Sequence, residues 1–332
     1  MQKLTITFLA LTFLFSGLVI SAQETDEVAL DEEVSAEDLG VPDPTLLPDS
    51  PFYFLKNWGR AIQSIFTFDP IEKAELRERF ANEKLMEVKK MVKQNKNREQ
   101  IEEAIQNYQQ EIGEVARVVE RIREKAEESN KVGSFLDKYT QHQLLHQRVL
   151  EKLEEQVPEE AMEKIRETRD EHLERFGEVM TKLQENKEQI RERLEKNLQE
   201  VKGSEFKEFK NIEILEKLEE KVPEEAKEAI REVRNNSLER LKMKIEQVEP
   251  EAIESFKSYA EQVAGDKKKQ AEILERVQTQ LQVGSTIRNE LEDVKLRIME
   301  RVKTEAQERI MVPEKRTEKT EIAPQPGKEV KE

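Results

Sequence analysis

The sequence VLEKLEEQVPEEAMEKIRETRDEHLER at residues 149–175 returns as ILEKLEEKVPEEAKEAIREVRNNSLER at residues 214–240, without a gap in either copy. Each copy contains a helix end, a proline (Pro158 or Pro223) suited to the first position of the next helix, and two glutamates in the turn that follows, where the helix dipole favours anions. The repeat unit is therefore a pair of helices. A further start at Pro250 lacks the preceding LEKLEE motif, which indicates an atypical last unit.

Apolar residues three and four positions apart predict helices on both sides of this repeat. We expect a short helix over 52–66, a second from Pro70 to about residue 94 with Asp69 as N-cap, and a third over 98–129. The helix after Pro158 is expected to continue to residue 201 as one element.

Gly-Ser pairs at 133–134, 203–204 and 284–285 are interpreted as a glycine stop followed by a serine N-cap. No stretch alternates apolar and polar residues with a period of two, so strands are not expected. The predicted fold class is all-α: elongated antiparallel helix hairpins or a coiled-coil-like bundle, rather than a compact globule, with a small aromatic N-terminal helical module. The module is assigned to residues 47–130 and the helix-hairpin repeats to residues 131–311.

Both ends of the chain carry sequence unlike the helical region. An uncharged apolar run, Leu4–Ile20, follows Lys3 and precedes small residues, which predicts a signal peptide over 1–22 with cleavage after Ala22. The alternative is an uncleaved N-terminal anchor, because the run approaches the roughly 20 residues that span a bilayer. No later segment is expected to span a membrane. Residues 23–46 are acidic and proline-containing and predict a disordered linker, and residues 312–332 predict a disordered tail.

Composition restricts the classes of function. The chain of 332 residues contains no cysteine, which excludes disulfides, thiolate metal sites and a cysteine nucleophile. Charged residues make up 39% of the chain and the net charge is −16, which is typical of solvent-exposed helices and argues against binding to nucleic acid. We expect an exported protein, located in the periplasm, on the cell surface or outside the cell.

Aromatic residues are concentrated in LPDSPFYFLKNWGRAIQSIFTFDP, residues 47–70. So much apolar surface is buried in the fold, in a partner or at a membrane interface. The favoured interpretation is a cross-helix that caps the bundle with buried aromatic rings. The alternatives are a membrane interface or a partner surface that includes Phe52, Tyr53 and Trp58.

His142 and His146 are four residues apart and so lie on one helix face, which makes them candidate metal ligands if His172 or a glutamate supplies a third. The second copy of the repeat replaces all three histidines. This spacing alone is a weak signal, and we predict no metal site. No cofactor is expected. No nucleophile elbow, phosphate-binding loop or calcium loop is present, so no catalytic residue is assigned and the protein is not expected to be an enzyme.

Residues 47–91 resemble the bacterial family catalogued as domain of unknown function 5667. The resemblance lies in the order and spacing of particular residues, namely Pro48, Ser50, Pro51, Tyr53, Lys56, Trp58, Phe68, Pro70 and Ala74-Glu75-Leu76. It extends more loosely through the helix pairs that contain VPEEA. The resemblance implies an exported helical protein and carries no catalytic or binding residue with it.

The function expected from the sequence is therefore a non-enzymatic one. We expect an exported helical protein that binds or scaffolds protein partners in the cell envelope. One alternative is a periplasmic-type helical chaperone or stress protein. Another is a metal-binding helical protein that uses His142 and His146.

Overall fold

The computed structural model describes residues 26–123, 130–183, 186–247, 250–281 and 285–311. Within these ranges the chain forms helices and no strand, so the all-α prediction is confirmed. The helices are α1 (Asp26–Glu32), α2 (Tyr53–Phe66), α3 (Pro70–Lys93), α4 (Arg98–Arg123), α5 (Asn130–Gln156), α6 (Glu159–Leu183), α7 (Lys187–Glu200), α8 (Lys207–Lys221), α9 (Glu224–Gln247), α10 (Pro250–Gln262), α11 (Lys267–Gln280) and α12 (Ser285–Met311). The predicted signal peptide with its cleavage site after Ala22 and the predicted tail over 312–332 lie outside the described residues.

The start of α3 follows the sequence signal closely. Asp69 has extended backbone angles, and its Oδ1 accepts hydrogen bonds from the backbone N–H groups of Ile71 (2.9 Å) and Glu72 (3.0 Å). Pro70 occupies the first helical position. A backbone N–H there would have no acceptor within the helix, so the N–H that proline lacks costs no hydrogen bond. The Asp-Pro pair therefore both ends the α2 segment and directs the chain into α3.

The sequence repeat is also a repeat of contacts. Glu154 at the end of α5 accepts bonds from Arg166 (2.8 Å) and Arg169 (2.6 Å) on α6. In the second copy Glu219 on α8 makes the same contacts with Arg231 (2.8 Å) and Arg234 (2.6 Å) on α9. Each proline directly precedes the first helical residue, one position before the site predicted for it. One glutamate thus ties together the two helices of each pair.

Two hydrophobic cores hold the helices together. The larger core is built mainly from α3 to α9, and the smaller one from α8 to α12. The predicted buried stripe of α4 lies in the larger core, where every member is at most 3% exposed; its members are Ile101, Ile105, Tyr108, Ile112, Val115, Val119 and Ile122. Because α8 and α9 contribute to both cores, they join the two halves of the helical region.

The prediction of a disordered acidic linker over 23–46 is wrong for its described residues, 26–46. Helix α1 inserts Val28 into the smaller core, and Leu39 in the following segment packs into the larger one. The acidic residues are matched by partners distant in the chain. Asp31 accepts bonds from Tyr259 Oη (2.5 Å) and from Ser204 N (2.7 Å). Composition suggested disorder because the partners of Asp31 lie more than a hundred residues away in the chain.

A buried charge cluster lies beside this segment. The Lys210 and Lys217 ammonium groups both contact Glu151 and Glu213, and the four side chains are at most 7% exposed. Burial alone would raise the pKa of Glu213, but the two lysines hold it below its usual range. Gly265, with a φ of +135°, passes over this carboxylate in the loop between α10 and α11. The pairing makes the buried charges tolerable within the helical core.

Three predicted helix boundaries differ from the structure. The helix after Pro158 does not run on to residue 201, because α6 ends at Leu183 and Asn186 caps the new helix α7 by accepting a bond from Gln189 N at 3.0 Å. Positions 133–134 lie inside α5, which begins at residue 130. Helix α8 begins at residue 207, after the 203–204 pair, and α12 begins at Ser285, as predicted.

Candidate interaction surface

Helix α2 lies against α3 through its polar side. Its buried residues are Tyr53, Arg60 and Ser64, which are spaced at seven and four positions and so share one face. The guanidinium of Arg60 also lies over the ring of Phe80 on α3, 5.7 Å from its centre. The side of α2 that the fold covers is therefore the charged and hydroxylated one.

The Glu87 carboxylate on α3 is the main attachment point of α2. It accepts bonds from the Tyr53 hydroxyl (2.5 Å), from Lys56 Nζ (2.6 Å) and from Arg60 Nη2 (2.9 Å). Arg60 Nη2 also donates to Glu83, one helical turn earlier on α3, at 2.8 Å. These residues, Tyr53, Lys56, Arg60, Glu83 and Glu87, form what we call the α2 clamp.

The protonation states in the clamp are fixed by burial and by Glu87. Burial and the neighbouring Glu87 carboxylate raise the pKa of Tyr53 above its usual value, so its hydroxyl stays protonated and donates. Burial would lower the pKa of Arg60, but the charge of Glu87 raises it, so Arg60 stays cationic. Tyr53 and Arg60 therefore keep the same protonation state near neutral pH.

A second polar contact holds the C-terminal half of α2. Arg77 on α3 donates to the Ser64 hydroxyl (3.0 Å) and to Glu111 on α4 (3.1 Å). Lys84 Nζ donates to the other oxygen of Glu111 at 2.9 Å. The two contacts together fix the rotation of α2 about its own axis.

The opposite side of α2 presents large apolar side chains to solvent. Eight such residues on α2 and its immediate flanks are between 53% and 81% exposed: Phe52, Phe54, Leu55, Trp58, Ile62, Ile65, Phe66 and Phe68. We call this set the apolar face of α2. The other exposed residues of the helix are uncharged, since both of its cations, Lys56 and Arg60, lie in the clamp.

The interpretation of the aromatic segment as a buried cap is therefore wrong. Phe52 and Trp58 of the predicted partner surface do lie on the exposed face, whereas Tyr53 is buried in the clamp. The sequence prediction assumed that the densest aromatic side would turn inward. The glutamates that override this preference lie on another helix, although the spacing of Tyr53, Lys56, Arg60 and Ser64 did mark a polar face.

The three histidines do come together, in a buried hydrogen-bonded chain. His146 Nδ1 lies 3.0 Å from the Tyr108 hydroxyl and 3.3 Å from His172 Nε2, while its Nε2 lies 2.7 Å from Asn82 Oδ1. His142, which is only partly buried, joins the chain through Asn82, whose Nδ2 lies 3.1 Å from His142 Nδ1, and the same nitrogen contacts Glu78 at 2.9 Å. Within the ranges described, no group of three or more histidine, aspartate or glutamate side chains is placed to hold a metal ion.

Burial keeps two of these rings neutral. It lowers the pKa of His172 to about 3. Burial, together with the neighbouring histidines, also lowers the pKa of His146 well below its usual value. Neutral rings with fixed hydrogen-bond partners act as a polar core of the α3, α4, α5 and α6 bundle.

The clamp and the apolar face lie in a region that matches a known protein family. Residues 45–160 match the family model described as Domain of unknown function (DUF5667). This region is a DUF5667 domain. It includes all of α2 to α5 and extends beyond residue 130, the end assigned to the N-terminal module from the sequence. The apolar face of α2 is thus a feature of the DUF5667 domain and not of the repeats that follow it.

No curated protein matches the chain. A solved structure described as "Computational Design of Self-Assembling Cyclic Protein Homooligomers" is 13% identical, covering 75% of this chain and 92% of its own, with a TM-score of 0.35. This similarity is too weak to support a conclusion about fold or assembly. In the described part of the chain, no helix has the length and apolarity needed to cross a membrane.

Proposed function

We propose that this is an exported, non-enzymatic binding protein whose DUF5667 domain docks a helix of a protein partner on the apolar face of α2. The observation that carries the proposal is the orientation of α2, whose polar side is clamped to α3 and whose aromatic side is left in solvent. Surface of this kind on a folded protein marks an interaction site. The acidic helical body serves as the scaffold that presents it.

The spacing of the exposed residues favours a helical partner. Leu55, Trp58, Ile62 and Ile65 follow one another at three, four and three positions, which is the spacing of core residues in a pair of packed helices. Tryptophan is among the residues that supply most binding energy at protein interfaces, and phenylalanine is enriched there. A second helix laid along α2 would therefore cover the whole face.

Charge favours a protein over a bilayer as the occupant. Interfacial helices combine an apolar face with lysines and arginines that reach anionic headgroups. Here Lys56 and Arg60 are bonded to Glu83 and Glu87 and point away from the apolar face. The net charge of −16 further opposes approach to an anionic surface.

A broad client-holding surface is less well supported than a single docking face. In the parts of the chain that the structure describes, the large apolar side chains exposed away from α2 are Leu30, Met243 and Leu296, which lie on three different helices. Scattered single residues of this kind are normal on a protein surface. Export and the absence of catalysis rest on the N-terminal sequence and on composition, as argued from the sequence.

The proposal is tested by photocrosslinking in the native cell. Benzoylphenylalanine replaces Phe66, an exposed aromatic residue of the face, and in a matched control replaces Leu296 on α12. We expect position 66 to capture a defined protein through a helical segment, and the capture to be lost when Trp58→Glu and Ile62→Glu are added. Capture of lipid alone, or equal capture from position 296, would overturn the proposal.

A further inference from the structure

We propose that the helix docked on the apolar face is α2 of a second copy of this chain, so that the protein forms a two-fold dimer through its DUF5667 domains. The inference rests on the proposed docking function and names its partner. It follows from the chemistry of the face, from its area and from the position of Gly59.

The apolar face is complementary to itself. A two-fold interface brings the same patch of both subunits together, so it tolerates like charges poorly and apolar residues well. Every exposed residue of α2 is uncharged, and its large apolar side chains lie at the spacing of a helix seam along the whole helix. Because the face carries no charge, the faces of two copies would not repel each other where they touch.

The area of the face matches one half of a dimer interface. At about 200 Å² for each fully exposed ring, the exposed fractions of its five aromatic residues amount to roughly 700 Å². The largest apolar patch of a typical monomer measures about 300–600 Å². A stable interface covers about 800 Å² on each partner, which this face reaches once Leu55, Ile62 and Ile65 are included.

Gly59 adds an independent observation. It lies in the middle of α2, is exposed, and has an ordinary helical backbone, although glycine is the poorest helix former after proline. A Cβ added there would meet no described atom within 4 Å, so packing within the chain does not require a glycine. On the exposed face of α2, the missing side chain beside Leu55 and Ile62 leaves room for an aromatic ring of a second copy.

Salt dependence separates this dimer from other modes of binding. Each copy carries a net charge of −16, so the two bodies repel each other at long range while their apolar faces attract. Added salt screens the repulsion and should strengthen the dimer. Docking on a basic protein or on lipid headgroups would be driven by charge, so added salt should weaken it.

The experiment is sedimentation equilibrium of the full chain over a wide concentration range at two salt concentrations. We expect the mass to rise from 39.0 kDa toward twice that value and the dissociation constant to fall as salt is raised. Trp58→Glu with Ile62→Glu should raise the dissociation constant at least about 100-fold, because it buries two charges at the centre of the interface. Leu296→Glu, an equally exposed apolar position on α12, should behave as the wild type.

Two results would overturn the dimer. One is a wild-type mass that stays at 39.0 kDa throughout, and the other is a doubling that the Trp58 and Ile62 changes leave intact. The crosslinking experiment then shows whether the docking proposal is also wrong. If position 66 captures a different protein, only the identity of the partner is wrong; if it captures none, both proposals fail.

Discussion

Arg60 on α2 and Glu87 on α3 form an ion pair with an Nη2–Oε1 distance of 2.9 Å, and both side chains are at least nine-tenths buried. This pair lies beneath α2 and turns the rings of Phe54, Trp58 and Phe66 toward solvent. A hydrophobic helix is thus attached to the fold by charge, and its apolar side remains available to a partner.

Glu87→Gln should release α2 from α3. The change leaves Arg60 without its main counterion in a buried site, and breaking one partner of a buried pair costs about 3–5 kcal/mol. We expect the amides of residues 53–66 to exchange hydrogen at least a hundred times faster, as measured by mass spectrometry. Glu102→Gln, which removes an exposed pair with Arg98, should change stability by no more than about 0.5 kcal/mol. Equal protection of α2 in the wild type and in Glu87→Gln would contradict the role of the clamp.

Alanine substitutions at two glycines should act in opposite directions. At Gly265 the backbone φ is +135°, and a Cβ would lie 2.4 Å from the Glu213 carboxylate, so Gly265→Ala should destabilise the fold by at least about 2 kcal/mol. Gly113 lies inside α4 with open space around it, and Gly113→Ala should stabilise by about 0.5–1 kcal/mol. Urea unfolding measures both. A stable Gly265→Ala variant would show that the loop does not press on the charge cluster.

Acid should weaken the fold through His146 and His172 before it affects the carboxylates. The folded-state pKa of His172 is about 3 against 6.5 when free, so its contribution is complete above pH 6.5 and declines as the pH falls toward 3. At pH 5 the loss amounts to about 2 kcal/mol for this residue. Glu151 and Glu213, whose pKa values are lowered by their lysine partners despite burial, lose their contribution only below about pH 4.5.

The repeat itself supplies the substitutions that test this account. The positions equivalent to His146 and His172 in the second copy hold Asn211 and Ser237, so His146→Asn with His172→Ser removes the titrating rings using residues that the fold already accommodates. The loss of unfolding free energy between pH 7 and pH 5 should be smaller in this variant. Burial raises the pKa of Glu78, so its contribution to stability increases as the pH falls. This contribution is present in both proteins and cancels when the two are compared. An unchanged pH dependence would show that burial does not lower the pKa of these two rings in the fold.

Both copies of the repeat should lose stability when the glutamate that joins their two helices is removed. Glu154→Gln and Glu219→Gln each weaken two arginine contacts between paired helices. The loss should be larger at Glu154, at about 2 kcal/mol, because its partner Arg169 is only 9% exposed whereas Arg234 is 21% exposed. Thermal unfolding compares them directly. A Glu219→Gln variant less stable than Glu154→Gln would reverse this order.

Sequence reasoning succeeded where the signal is local. The Asp69-Pro70 cap, the α4 stripe and the helix pairs at Pro158 and Pro223 each depend on residues within one or two turns. It failed where distant groups decide. Asp31 is satisfied by Ser204 and Tyr259, and the rotation of α2 is set by glutamates on the next helix. The spacing of apolar residues therefore predicted correctly that α2 is a helix, whereas the density of aromatic residues predicted the wrong face for the core.

Acrylamide quenching of Trp58 is the most direct measurement of this orientation, because Trp58 is the only tryptophan of the chain. It is made at a dilution at which sedimentation gives a mass of 39.0 kDa. With an indole that is 70% exposed, the account predicts red-shifted emission and quenching close to that of free tryptophan. Blue-shifted emission that acrylamide fails to quench in the monomer would contradict it, because the apolar face of α2 would then pack against its own chain.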